Sequence, residues 1–102
     1  MGLCLGGRVQ IRLEFLGVTR LLTGAKEDVF DLHEGATYRE LVRHLGRRYP
    51  ELIGDVIQPS GDRLQGPNIF CGKDTSIIKP EQMDHRLEDG EQLILMSLSA
   101  GG

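Results

Sequence analysis

The sequence predicts an α+β fold, a mixed sheet of four to five strands with one main helix packed across it. Three observations carry that expectation. An alternating stretch lies near the start, a capped amphipathic helix follows, and an apolar run without alternation stands near the end. Alternation marks a strand with one face on a core, whereas a strand covered on both faces reads as a continuous apolar run. A helix with a single apolar stripe must lie across one face of such a sheet.

Val9, Ile11, Leu13 and Phe15 alternate with Gln10, Arg12 and Glu14, which predicts the first strand. Residues 17–26 hold Thr23-Gly24 and are expected to form a turn or wide hairpin loop. Residues 28–33 give a second strand with Phe30 and Leu32 toward the core, and an antiparallel hairpin is its simplest connection to the first.

The main helix is expected from Tyr38 to Arg48. Thr37 and Glu40 have the spacing of a capping box, which satisfies backbone N–H groups at the helix start. Tyr38, Leu41, Val42 and Leu45 fall on one stripe. Arg47 and Arg48 complement the negative end of the helix dipole, and Pro50 stops the helix.

Residues 52–57 are expected to make a short turn of helix, followed by a polar loop to Pro67. Residues 68–71 form a third strand, ended by the turn residues Gly72-Lys73-Asp74, and residues 75–78 add a short one. Asp89-Gly90 makes a turn before a last strand over 92–98, apolar on both faces through Leu93, Ile94, Leu95, Met96 and Leu98. That strand belongs in the middle of the sheet, parallel to the first. The arrangement is a β-grasp.

A chain of 102 residues fits one domain, here residues 8–98. Residues 1–7 are read as a disordered leader or cloning remnant, and 99–102 as a flexible tail. No apolar run approaches the roughly 18 residues of a membrane span, and the opening lacks a secretory signal. The expected location is cytoplasmic, with no membrane partner. A net charge of −3 gives no support to a nucleic-acid surface. Cys4 and Cys71 form no ligand or redox motif, and Cys71 is expected as a buried strand cysteine. His33, His44 and His85 are too scattered for a metal site and are expected in surface or turn positions. Neither a metal centre nor a catalytic constellation is expected, so the chain is read as a carrier and not an enzyme.

The tail is the candidate reactive element. Ser99, Ala100, Gly101 and Gly102 are small and uncharged, and residues from Ser97 onward could reach about 20 Å. Two glycines leave no side chain beside the terminal carboxylate, so the tail could enter a narrow channel. With a pKa of roughly 3.5 the carboxylate is ionised at neutral pH. It can attack the α-phosphate of ATP on a partner enzyme, and sulfur can capture the resulting acyl group as a thiocarboxylate. A tail that merely frays, as chain ends do, is the plain alternative.

Several segments together resemble one family: Phe15-Leu16-Gly17, Leu22-Thr23-Gly24-Ala25-Lys26-Glu27, Glu34-Gly35-Ala36-Thr37, Arg48-Tyr49-Pro50-Glu51-Leu52, Leu87-Glu88-Asp89-Gly90-Glu91 and the terminal Gly101-Gly102. From Val9 to Gly102 the chain is similar to the MoaD/ThiS sulfur carriers, a branch of the ubiquitin-like superfamily, with the molybdopterin-synthase small subunit as the nearest type. The resemblance implies adenylation at Gly102 by an ATP-dependent, ubiquitin-activating-like adenylyltransferase. It also implies a sulfur donor system, no bound cofactor, and delivery of sulfur toward molybdopterin, with the large subunit of molybdopterin synthase as a partner. A ubiquitin-related modifier or tRNA-thiolation carrier shares this activation chemistry. A β-grasp binding module with an incidental Gly-Gly end is the third reading. Two surfaces are candidates for docking: an apolar patch of Leu93, Leu95 and Leu98, and the helix stripe of Arg39, Arg43 and Arg47.

Overall fold

A computed structural model describes residues 7–74 and 76–97. The elements run β1 (Arg8–Phe15), α1 (Val18–Thr23), β2 (Glu27–His33), α2 (Tyr38–Arg48), β3 (Asn68–Gly72), β4 (Ile77–Ile78) and β5 (Gln92–Ser97), with 3₁₀ turns at Pro50–Leu52 and Pro80–Gln82. The sheet order is β2-β1-β5-β3-β4. β1 and β2 form the expected antiparallel hairpin, with Ile11 opposite Phe30. β5 lies at the centre, parallel to β1 and antiparallel to β3. This is the β-grasp arrangement.

Alternation places Val9, Ile11, Leu13 and Phe15 on the face where Phe30, Leu32, Phe70, Leu93 and Leu95 also point. Helix α2 closes that face. Its stripe of Tyr38, Leu41, Val42 and Leu45 is buried, as the periodicity predicts. Burying each aliphatic side chain of that stripe is worth roughly 1.5–3 kcal/mol relative to exposure. The capping box forms at Thr37 and Glu40. At the other end, Arg48 donates to the Val29 carbonyl at 2.9 Å and lies 4.2 Å above the Phe30 ring. The Tyr49 ring meets Phe15 edge to face at 5.5 Å. The helix is therefore tied to β2 at its C-terminal end.

The expected loop over residues 17–26 contains helix α1. Two glycines with positive φ delimit it: Gly17 at 65° before the first turn and Gly24 at 72° as the left-handed cap. The Gly24 amide closes the last turn on the Arg20 carbonyl at 2.9 Å. Val18, Thr19 and Thr23 between them are β-branched, so intrinsic propensity does little for this turn, which is held by its ends and by the hydroxyl bonds of Thr19 and Thr23. Thr23-Gly24, read as a hairpin turn, is the end of this helix. The turn expected at 52–57 begins earlier, because Pro50 suits a first helical turn where no N–H is required. Val56 and Ile57 are buried in the loop that follows. β3 runs on through Gly72, and the short strand is Ile77–Ile78; Thr75 lies outside the described residues.

Of the expected leader only Gly7 is described, and its carbonyl accepts from the Glu34 amide at 2.9 Å. Among the described residues no helix is long and apolar enough to cross a membrane.

Candidate functional site: the open sheet face and the end of β5

β5 brings its end to the edge of the described structure. Its register against β3 pairs Leu95 with Phe70, Met96 with Ile69 and Ser97 with Asn68. On the other side, the pairing with β1 stops at Phe15 and Leu95. Leu98 and the tail residues Ser99, Ala100, Gly101 and Gly102 lie outside the described residues.

The two faces of β5 differ. Leu93 and Leu95 are 2% and 0% exposed, packed into the core under α2. The expected docking patch of Leu93 and Leu95 is therefore corrected: both point at the helix, because alternation sends them to the covered face. Ile94 and Met96 point the other way and are half-buried. Register places Ile69 beside Met96, Cys71 beside Ile94 and Ile77 beside Cys71. These five side chains share the face that α2 leaves open. The expectation of a strand covered on both faces also fails here, since among the described residues no element covers this face. Cys71 is free and buried as expected, in the wall of this patch and not in the main core.

The sheet face is apolar over β5, β3 and β4, and polar over β1 and β2. The polar half carries Arg12, Glu14, Glu27 and Asp31, which pair across the hairpin with Val29, Glu27, Glu14 and Gln10. The face thus has an apolar half beside the end of β5 and a charged half away from it.

Sequence reasoning grouped Arg39, Arg43 and Arg47 as one basic stripe. In the structure Arg39 forms a forked pair with Asp84, at 2.7 and 3.2 Å. Arg39 and Arg43 each lie 3.7 Å from Asp62. Two of the three positive charges are thus met by acids of the chain itself, while Arg47 is exposed. The Asp84 carboxyl is held below the usual range by the hydrogen bond from Arg39. A cavity of about 610 Å³ opens beside this cluster, lined by Arg39, Arg63, Leu64, Asn68, Ile78 and Met83 among others.

His33 and His85 are exposed, and His44 is half-buried, with its pKa lowered first by burial and then by Arg47. His33 faces Glu40 at 2.8 Å. Among the described residues no cluster of three or more metal-ligating side chains occurs.

Sequence reasoning missed helix α1 and with it Thr19. The Thr19 hydroxyl lies 2.7 Å from the Leu16 carbonyl and 3.1 Å from the Leu95 carbonyl on β5. The Leu16 amide donates to that same Leu95 carbonyl at 3.1 Å. The signal was present in Gly17 and Gly24, spaced to bracket two helical turns.

The sequence matches the ThiS family over residues 13–102. A search among curated proteins returns no match. Among solved structures, the Haloferax volcanii HVO 2177 protein is similar at 23% identity, covering 94% of this chain and 89% of that one, with a TM-score of 0.74. The small archaeal modifier protein SAMP1 of Haloferax volcanii is similar at 16% identity, over 91% and 99%, with a TM-score of 0.75. A Pyrococcus furiosus protein provisionally named molybdopterin converting factor subunit 1 is similar at 18% identity, over 87% and 97%, with a TM-score of 0.66. At these identities the likenesses establish the β-grasp fold.

Proposed function

The chain belongs to the ThiS family, and on that premise we propose that it is a sulfur carrier whose working group is the Gly102 carboxylate. The observation that carries this reading is the central, firmly paired β5, which leads directly into a small-residue segment ending in Gly101-Gly102.

The chemistry needs a partner enzyme that binds ATP. One carboxylate oxygen of Gly102 attacks the α-phosphate, and pyrophosphate leaves. The acyl-adenylate then reacts at its carbonyl with a sulfur nucleophile from a donor system, and AMP departs with the bridging oxygen. A terminal thiocarboxylate remains. This chain supplies the acyl group and the surface that brings it to the partner; the catalytic groups belong to the adenylyltransferase. The open apolar patch of Ile69, Cys71, Ile77, Ile94 and Met96 is the docking surface in this reading, since it borders the strand that bears the tail. It replaces Leu93 and Leu95 in that role.

Molybdopterin biosynthesis is the destination we favour, with the large subunit of molybdopterin synthase receiving the tail in the cytoplasm. The chain is longer than compact thiazole-type carriers, and the name of the Pyrococcus neighbour points the same way. A protein modifier or tRNA-thiolation carrier joined through Gly102 is the second reading, favoured by the likeness to a small archaeal modifier.

Intact mass of the protein from its native host tests the proposal: exchange of one oxygen for sulfur marks the thiocarboxylate. Adding a residue after Gly102 should abolish adenylation while leaving stability unchanged. An extended chain that still forms the adenylate sinks the mechanism.

A further inference from the structure

We infer that the cavity of about 610 Å³ beside α2 is a peptide-docking site, fitted to an extended partner segment that carries one large apolar side chain between two opposite charges. This inference goes beyond the carrier reading and does not rest on it, because the cavity lies on the side of the sheet that bears α2.

The floor is the β3–β4 end of the sheet. Ile78 stands opposite Phe70 in register and therefore shares the face that α2 covers. The helix is tied to β2 at the far edge, so loops close the face at this end. Leu64 comes from the loop after α2, and Met83 follows the 3₁₀ turn at Pro80–Gln82; both pack against the core. With Pro80 and Ile78 they give the cavity an apolar interior. Its volume is that of a ligand pocket and exceeds a packing void.

Both walls are fixed by the chain itself. On the loop wall, the Gln58 amide donates to the Arg63 carbonyl at 2.8 Å, and the Gln65 amide donates to Val56 at 2.7 Å. On the turn wall, the Met83 carbonyl accepts from the Arg39 amide at 2.9 Å. The Arg39 side chain clasps the walls together, forked onto Asp84 on one side and 3.7 Å from Asp62 on the other. A site held open in this way orders little when it is filled.

The charges choose the occupant. Arg39 and Arg43 are met by Asp62 and Asp84, so the cluster offers no surplus of cations to a bare anion. Two exposed charges remain on the lining, Arg63 on the loop wall and Glu81 on the turn wall. Among the described residues no ion pair holds either one, although Asp62 and Asp84 lie within the longer-range field of Arg63. Opposite signs on facing walls fit a segment with an acidic residue toward Arg63 and a basic one toward Glu81. Such a segment can run in either direction. Exposed ion pairs contribute little affinity, so the apolar anchor supplies the binding and the two charges select the partner. Ile94 and Met96 point to the other face of the sheet and stay accessible while the cavity is filled.

The test uses the full-length ¹⁵N-labelled protein and capped peptides, acetyl-Asp-Ala-Phe-Ala-Lys-amide and its counterpart with Ala in place of Phe. The Phe peptide should bind with a dissociation constant below about 1 mM. Saturable amide shifts should centre on residues 63, 64, 79 and 83 and leave residues 94 and 96 in place. Loss of the Phe ring should weaken binding about tenfold or more. Arg63→Glu should weaken the Phe peptide about two- to fivefold and strengthen a variant peptide with Lys at both ends by a similar factor. Glu81→Lys, the second variant, should instead favour the peptide with Asp at both ends. The absence of saturable shifts, equal binding of the Ala peptide, shifts centred on residues 94 and 96, or binding indifferent to both charge changes would each overturn the inference. Adenylation of Gly102 is not read in any arm, so failure of the carrier reading leaves this result standing.

Discussion

Tyr49 donates its hydroxyl proton to Asp28 across 2.6 Å, joining the end of α2 to the start of β2. Arg48 reaches the same carboxylate oxygen at 3.0 Å. Burial works to raise the Asp28 pKa, but the hydrogen bonds from Tyr49, Arg48 and the Val29 amide prevail and leave it below the usual value. Burial and the bond to Asp28 push Tyr49 up to about 12. Tyr49→Phe keeps the ring against Phe15 and should cost about 1 kcal/mol. Made in an Asp28→Ala background, the same change should cost much less. Urea midpoints for the four proteins of the cycle check the coupling.

The His33–Glu40 pair should make stability depend on pH in a defined window. The hydrogen bond that the His33 ring donates to Glu40 raises the His33 pKa, and the same bond lowers that of Glu40. The His33 contribution is complete below its unfolded value of about 6.5 and is lost as pH rises through the raised folded value. The Glu40 contribution is present above about 4.3 and is lost as pH falls through its depressed folded value. Both are in force between. His33→Gln should flatten the fall in stability above about pH 6.5, measured as urea midpoint against pH. An unchanged slope would show that the pair contributes nothing.

Leu41 is wholly buried under the sheet. Leu41→Ala should destabilise the domain by roughly 2–5 kcal/mol. Thr37→Ala removes half of the capping box and should cost about 1 kcal/mol. A neutral Leu41→Ala in a chemical melt would contradict the packing of α2.

Met96→Lys tests the open face. The side chain is half-buried beside Ile69 and away from the core, so stability should change by less than about 1 kcal/mol. A charge there should raise KM for the adenylyltransferase tenfold or more. Unchanged KM would remove this face from the docking surface.

Gly101→Val should block sulfur transfer and leave the melting curve in place. A β-branched residue restricts the backbone and adds bulk next to the reacting carbonyl. Normal transfer would mean that no channel reads the terminal glycines.

Most of the fold was legible because its signals are local. Capping at Thr37 and Glu40, the stripe from Tyr38 to Leu45, and alternation over β1 each depend on near neighbours. The central place of β5 was readable from its apolar run. Which of its faces is covered was not, because Leu93 and Ile94 are both apolar and differ only in what lies opposite. Helix α1 escaped because six residues are too few for periodicity to declare itself. Thr19 escaped with it, since its partner on Leu95 is remote in sequence. The charges of Arg39 and Arg43 were visible, but their acids Asp62 and Asp84 come from distant loops.

The central strand is also the last of the described strands in chain order. Position 12 pairs with position 92, and β3 has no other link to the hairpin within the sheet. On a translating ribosome, β1, β2 and α2 emerge first and wait with one strand edge unsatisfied. The sheet cannot close until β5 has emerged, so the hairpin must wait for a strand remote from it in sequence. A chain that lacks β5 has no complete sheet, and the open face by β3 and β4 exists only once that strand is in place.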